Sequence, residues 1–202
     1  PAKKTLFIPT GFEVHEKSNS LLPGGDIQGV AGEYFQQQRT PPFRVGMLAR
    51  ASIEKDHQLL VHASAELISA GSNIRLILAG GVGISSGTEI EETVLRLGIG
   101  ESVDLLGRVE NISQWFDSID LFVLLSNSEG FPTVIGEAMS FGKACLVSDV
   151  GDARILLADS DQIVPPKDSK AVIAGLQRFY GKSESELNDI GERNRARVKK
   201  IF

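Results

Sequence analysis

Leu121-Phe-Val-Leu-Leu-Ser-Asn-Ser-Glu-Gly-Phe-Pro-Thr-Val-Ile-Gly-Glu137 decides how this chain is read. Its first five residues are apolar without alternation, the pattern of a strand covered on both faces. The residues after Pro132 carry helical spacing, and proline suits the first turn of a helix, where a missing N–H costs nothing. The run is therefore a strand, a short loop and a helix start. Such a turn points unpaired backbone N–H groups, here those of Thr133 and Val134, toward an anion. Two carboxylates, Glu129 and Glu137, stand on either side with seven residues between them. An acid beside a bound phosphate is costly, so both are expected to face neutral hydroxyls.

The same alternation extends in both directions. Strands are expected at 43–49, 74–79, 103–106, 121–125, 144–148 and 162–164. Helices are expected at 56–70, 89–97, 112–118, 133–141 and 153–158, with two more, 170–180 and 184–199, closing the chain. Asp168 is the expected cap of the first closing helix, and Ser183-Glu-Ser-Glu186 reads as a capping box for the second. Strand, helix, strand, repeated, implies parallel strands joined by right-handed crossovers. The fold class is α/β, a Rossmann-like doubly wound parallel sheet of about six strands. With strand order 3-2-1-4-5-6, strands one and four are neighbours where the order reverses, and ligands bind outside their carboxyl ends. That order brings segments 50–55 and 126–137 together. Residues 1–42, rich in Gly, Pro, Ser and Gln from position 10, read as a partly mobile lead-in, with 43–202 as the domain proper.

Composition narrows the function. The 202 residues are 42% hydrophobic with a net charge of −5, which supports a sizeable core and argues against nucleic-acid binding or a cationic membrane face. No apolar stretch approaches the roughly 20 residues of a membrane-spanning helix. The single cysteine, Cys145, lies in the apolar run Ala144-Cys-Leu-Val147 and reads as a small buried hydrophobe, consistent with a reducing, cytoplasmic setting. The chain begins without methionine and stops abruptly at Ile201-Phe202, so it is expected to be a fragment.

Several motifs have both a chemical and a plain reading. Arg50-Ala-Ser-Ile-Glu-Lys55 places two cations after strand one. Alone they would be solvated surface charges, but opposite a helix start at the switch point they form a diphosphate clamp, Arg supplying a planar fork and Lys a point charge. Gly80-Gly-Val-Gly83 resembles a dinucleotide fingerprint only loosely. Counted from Gly81, the sixth position is Ser86, and the run follows strand two instead of strand one, so it reads as a turn. Arg108, after strand three, is a base-stacking candidate or an ordinary surface arginine. His57 and His62 read as surface or packing residues, Trp115 and Phe116 as helix-to-sheet packing, and no His, Cys or acid spacing suggests a metal.

At this point the residues resemble a known family. The chain looks like the C-terminal, donor-binding domain of a GT-B glycosyltransferase of family 4, the retaining group called glycosyl transferases group 1. The matches are Phe7-Ile-Pro-Thr-Gly11, Gly46-Met-Leu-Ala-Arg50 with Lys55, Leu105-Leu-Gly107, Asp120-Leu-Phe-Val-Leu-Leu-Ser126, Glu129-Gly-Phe-Pro-Thr-Val-Ile-Gly-Glu137-Ala-Met, Gly142 and Ser148-Asp-Val-Gly151. Two departures, Thr10 where many relatives carry Asn and the Gly80–Gly81 turn where many carry Asp, leave the clamp untouched.

The resemblance implies a donor that is a nucleotide diphosphate sugar, with no cofactor and no metal. Arg50 and Lys55 would hold its diphosphate together with the N–H groups of Thr133 and Val134. Glu129 and the backbone of Gly130 and Phe131 would hold sugar hydroxyls, with Arg50, Lys55 and Glu129 as the catalytic set. Glu137 would accept from the ribose, and Arg108 and Val109 would contact the base. An N-terminal acceptor domain is expected to be missing, and any membrane association would reside there. The alternatives are a nucleotide-sugar epimerase or phosphorylase of similar fold, or a non-catalytic nucleotide-binding module.

Overall fold

The computed structural model describes residues 40–81 and 88–202. Most of the lead-in lies outside them, including Thr5–Pro9, whose sequence reads either as an edge strand or as a remnant of a preceding domain. Six strands run β1 Phe43–Leu48, β2 Ile74–Ala79, β3 Val103–Leu105, β4 Leu121–Leu124, β5 Ala144–Ser148 and β6 Ile163–Val164. Every pairing is parallel, in the order β3-β2-β1-β4-β5-β6. The expected switch point is therefore present: β1 pairs with β2 on one side and with β4 on the other, through Val45↔Leu121 and Gly46↔Phe122.

The helices are α1 His57–Ser69, α2 Thr88–Arg96, α3 Ile112–Asp117, α4 Thr133–Ser140, α5 Ala153–Leu157, α6 Ser169–Tyr180 and α7 Glu184–Ile201. Each was expected to within about two residues at either end. Their starts follow from local chemistry. Asp56 accepts from the Leu59 N–H at 3.1 Å, Asp168 accepts from the Ala171 N–H at 2.9 Å, and Ser183 with Glu186 forms a complete capping box. Four strands are one residue shorter than expected, without Ala49, Leu106, Leu125 and Gln162. Leu125 lies just past β4, where its carbonyl accepts from the Asp56 N–H, and Gln162 belongs to a 3-10 turn before β6.

α1 packs on α2 and α6, whereas α7 packs on α4 and α5, so the two groups cover opposite faces of the sheet. All four residues of β4 and all five of β5 are buried, which is why neither strand alternates in sequence. Trp115 and Phe116 pack into the core, Phe116 stacking on Phe141 at 4.7 Å between ring centroids. α7 approaches closely at Gly191, where a methyl group would land on the Gly142 carbonyl oxygen. Gln162 and Asn194 complete that contact as a buried amide pair bonded to the Cys145 N–H and the Lys143 carbonyl. At the amino edge of the sheet Arg44 pairs with Asp120 at 2.7 Å, tying β1 to the start of β4. The carboxyl edge, where ligands bind in this architecture, is left to the loops.

Candidate functional site

The loops leaving β1 and β4 are joined to each other. Lys55 and Ser126 form an isolated antiparallel bridge, the Asn127 N–H donates to the Glu54 carbonyl at 2.8 Å, and the Asn127 side chain donates to the Ile53 carbonyl at 3.2 Å. This places Lys55 beside Glu129, and the two form an ion pair through Nζ and Oε1. Their side chains are 18% and 13% exposed, enclosed enough for the attraction to exceed that of a surface pair. Ser126 Oγ donates to the same Oε1 at 2.6 Å. Glu129 Oε2 has no hydrogen-bond partner among the described residues.

Read from the sequence, the cation and the acid have separate tasks. The fold makes them partners, so the site neutralises part of its own charge. Beneath them His57 is 2% exposed. Its Nδ1 lies 3.0 Å from the Lys55 carbonyl, which can only accept, so Nδ1 carries the proton. Burial pushes the His57 pKa down, and the ring is a neutral support for the Lys55 backbone. His62, by contrast, is exposed.

α4 begins directly behind Glu129. Pro132 occupies the N-cap, one place earlier than the first-turn position expected for it, and no side chain caps this end. The Ile135 N–H turns back to the Pro132 carbonyl at 3.0 Å, whereas Thr133 and Val134, as the first two helical residues, have no intrahelical acceptor. Glu137 follows one turn later, on the same face as Thr133 by its spacing of four. It is half-buried, and burial raises its carboxyl pKa above the usual 4.5.

A folded-state value above the unfolded one means that the native chain binds this proton more tightly. The resulting stability is fully present below the unfolded pKa and is lost as pH rises through the folded pKa. Glu137→Gln does not titrate, so the stability of the wild type relative to Glu137→Gln should decline as pH rises from the ordinary carboxyl value of 4.5 through the raised folded-state value. Thermal unfolding of both proteins across that range checks this, and a flat or rising difference would contradict it.

Arg50 is exposed and makes no hydrogen bond among the described residues, although its charge helps lower the pKa of Glu54 after hydrogen bonding by Ser52. Gly130 is exposed. Phe131 is half-buried and meets Phe202 edge-on, with ring centroids 5.9 Å apart. Arg108 and Val109 follow β3, two strands from β1 and three from β4, so they lie to one side of the Lys55–Glu129 pair along the carboxyl edge. Arg108 is exposed, and Val109 packs on the core. The Gly80 N–H donates to the Gly107 carbonyl at 3.0 Å, and a methyl group at Gly80 would lie 2.6 Å from the Ala49 carbonyl oxygen. That one turn therefore spaces the loops after β1, β2 and β3. Val82 and Gly83 of the glycine run lie outside the described residues. A cleft of about 690 Å³ opens along this edge between Lys55, His57, Glu89 and Asn127. A larger one, of about 1280 Å³, lies by Arg44, Asp120 and Tyr180 at the far edge and is remote from these groups.

Sequence reading missed Ser126 as the partner of Glu129, and it missed how the Glu129 loop is held. Gly151, with φ +55°, lies against that loop, and a methyl group there would land on the Gly130 carbonyl oxygen and 2.6 Å from that of Glu129. Cys145 is buried, its thiol pKa raised by burial, and it plays no part in the site. No group of three or more His, Cys, Asp or Glu side chains suited to a metal occurs among the described residues.

A doubly wound sheet with a cation, an acid and an uncapped helix start at its switch point defines a Rossmann-like ligand-binding unit of the kind found in GT-B glycosyltransferases. The chain belongs to the family described as glycosyl transferases group 1, whose model matches residues 33–197. It is 34% identical over 144 residues to the putative glycosyltransferase EpsF of Bacillus subtilis, covering 71% of this chain and 33% of that protein. It is 24% identical over 208 residues to the capsular polysaccharide biosynthesis glycosyltransferase CapM of Staphylococcus aureus, covering 96% of this chain and 54% of that protein. Among solved structures it resembles sucrose-phosphate synthase of Thermosynechococcus elongatus, with a TM-score of 0.73 at 25% identity over 81% of this chain and 42% of that one. It also resembles Anabaena HepE in complex with UDP-glucose, with a TM-score of 0.71 at 25% identity over 80% of this chain and 45% of that one. The chain thus spans between a third and just over half the length of these two curated relatives. No helix among the described residues is long and apolar enough to cross a membrane.

Proposed function

We propose that residues 43–202 form the donor-binding domain of a retaining glycosyltransferase, reached through the 1–42 lead-in from a preceding acceptor-binding domain. The observation that carries this reading is the Lys55–Glu129 pair in front of the uncapped start of α4. A nucleotide diphosphate sugar carries two negative phosphates joined to a neutral ring of hydroxyls. Lys55, Arg50 and the Thr133 and Val134 N–H groups suit the phosphates, whereas Glu129, Glu137 and the Gly130–Phe131 backbone suit hydroxyls of the sugar and ribose. Arg108 and Val109, farther along the sheet edge, stand where the base of an extended donor would reach.

In the transfer, the bond between the anomeric carbon and the diphosphate oxygen breaks. An acceptor hydroxyl oxygen takes its place with the configuration kept, and its proton is released. Charge grows on the leaving diphosphate, where the two cations and the helix start stabilise it. Positive groups fixed in the protein do here what a divalent cation does in other phosphate sites, so no metal and no cofactor enter the reading. The lone buried thiol fits a cytoplasmic protein.

Calorimetric titration with UDP, GDP and ADP and their glucose or mannose esters tests the proposal. Saturable binding of at least one nucleotide sugar is expected. Absence of binding by all of them would favour a non-catalytic module instead.

A further inference from the structure

We propose that Ser126 is the positioning residue that keeps Glu129 aimed at the sugar once a donor has drawn Lys55 away; this rests on the donor-site reading above. The Lys55–Glu129 pair poses a problem for donor binding. Lys55 Nζ and Ser126 Oγ converge on one oxygen of Glu129. A diphosphate brings more negative charge than a single carboxylate, so it competes for the lysine. If Lys55 were the only group holding Glu129, the acid would lose its orientation at the moment it is needed.

Ser126 is placed to prevent this. It is 1% exposed and lies just past the end of β4. Its own N–H donates to Ser148 Oγ at 3.1 Å, anchoring it to the end of β5, and its backbone bridges Lys55. Its hydroxyl therefore belongs to the rigid sheet, whereas Lys55 reaches Glu129 on a flexible four-carbon stem. With the lysine turned to phosphate, Oε1 keeps the Ser126 hydroxyl and Oε2 stays open toward the ring. Ser126 touches no phosphate and no sugar in this arrangement. It acts only through Glu129.

That restriction makes the role separable from a general structural one. In the full enzyme, binding of UDP, GDP and ADP is measured beside binding and turnover of their glucose and mannose esters. Ser126→Ala should leave nucleoside diphosphate affinity within about twofold and lower kcat by roughly tenfold, the scale of one charge-assisted hydrogen bond. Ser126→Thr, which keeps a hydroxyl, should recover most of that loss. In a Glu129→Gln background Ser126→Ala should add little, because two residues acting as one unit are not additive. If wild type binds nucleotides but Ser126→Ala weakens nucleotide and nucleotide sugar alike, or its effect adds in full to that of Glu129→Gln, the positioning role is wrong while the donor site stands. If wild type binds no nucleotide at all, the donor-site reading falls and this proposal with it. Should Ser126→Ala fail to fold, Ser126→Thr and Ser126→Cys carry the same comparison: threonine near wild type and cysteine impaired supports the role, equal turnover in both overturns it.

Discussion

Replacing Lys55 with alanine is expected to slow sugar transfer by about tenfold to somewhat over a hundredfold, from the roughly 1.5–3 kcal/mol of a charge-assisted bond to the leaving diphosphate. Stability should fall far less. The ion pair with Glu129 is partly enclosed, so its loss lies above the value of a surface pair, about 0–1 kcal/mol, and well below that of a fully buried one. Ser126, which donates to Glu129 at 2.6 Å, is expected to keep that bond when the lysine is gone, which holds the cost near the lower figure. A decrease of about 1 kcal/mol corresponds to roughly 2–4 °C in Tm for a chain of this size. Lys55→Met, which keeps the stem and removes the charge, should behave like the alanine variant. Steady-state kinetics in the full enzyme, set beside thermal unfolding, decides the matter. Unchanged turnover would remove Lys55 from the diphosphate clamp, and a loss of stability large enough to account for the lost activity would make its role structural.

The sheet was legible because its signals are local and repeated. Unalternating apolar runs, caps at Asp168 and Ser183, and the proline before Thr133 each marked an element, and right-handed crossovers then left few orders to choose from. That order was enough to bring Lys55 and Glu129 to one place from 74 residues apart. What it could not supply was how neighbouring groups divide their bonds. Nothing in the spacing of Lys55 and Glu129 says that they meet directly. Ser126 sits three residues before Glu129 at a strand end, a spacing that many serines share without such a bond. Gly151 is harder still, because its role depends on Glu129 and Gly130, 22 and 21 residues earlier, folding back against it, and the sequence signals only that a glycine follows a strand. His57 was read as surface or packing, and its hydrogen bond to the carbonyl two residues before it emerges only once the β1–α1 loop has its shape. Positions set by periodicity were readable, and positions set by side-chain contact between loops were not.

Gly151→Ala is expected to damage the site more than any other change outside the charged residues. Two costs coincide there. With φ +55° the residue adopts the left-handed conformation, which asks about 1–2 kcal/mol of a residue with a side chain. The added methyl would also meet the carbonyl oxygens of Gly130 and Glu129, which are backbone atoms with no flexible end to swing aside. Relief requires one of the two loops to move. The Asp152 N–H, bonded to the Gly130 carbonyl at 3.4 Å, is a weak tether, so the 129–130 segment is the side that yields. Its displacement carries Glu129 away from Ser126 and Lys55 and shifts the start of α4. A misplacement of about 1 Å at reacting groups costs on the order of a hundredfold in rate. We therefore expect kcat/KM to fall by about that factor, with stability lower by about 1–3 kcal/mol. Gly142→Ala is the matched control. Its φ of +66° carries the same conformational cost, but the atoms nearest its methyl would belong to the Arg195 side chain, at the C-terminal end of α4. It should lower stability while leaving kcat/KM of the folded enzyme near wild type. Equal kinetic loss in both variants would show that the effect at Gly151 is general destabilisation and not displacement of the Glu129 loop.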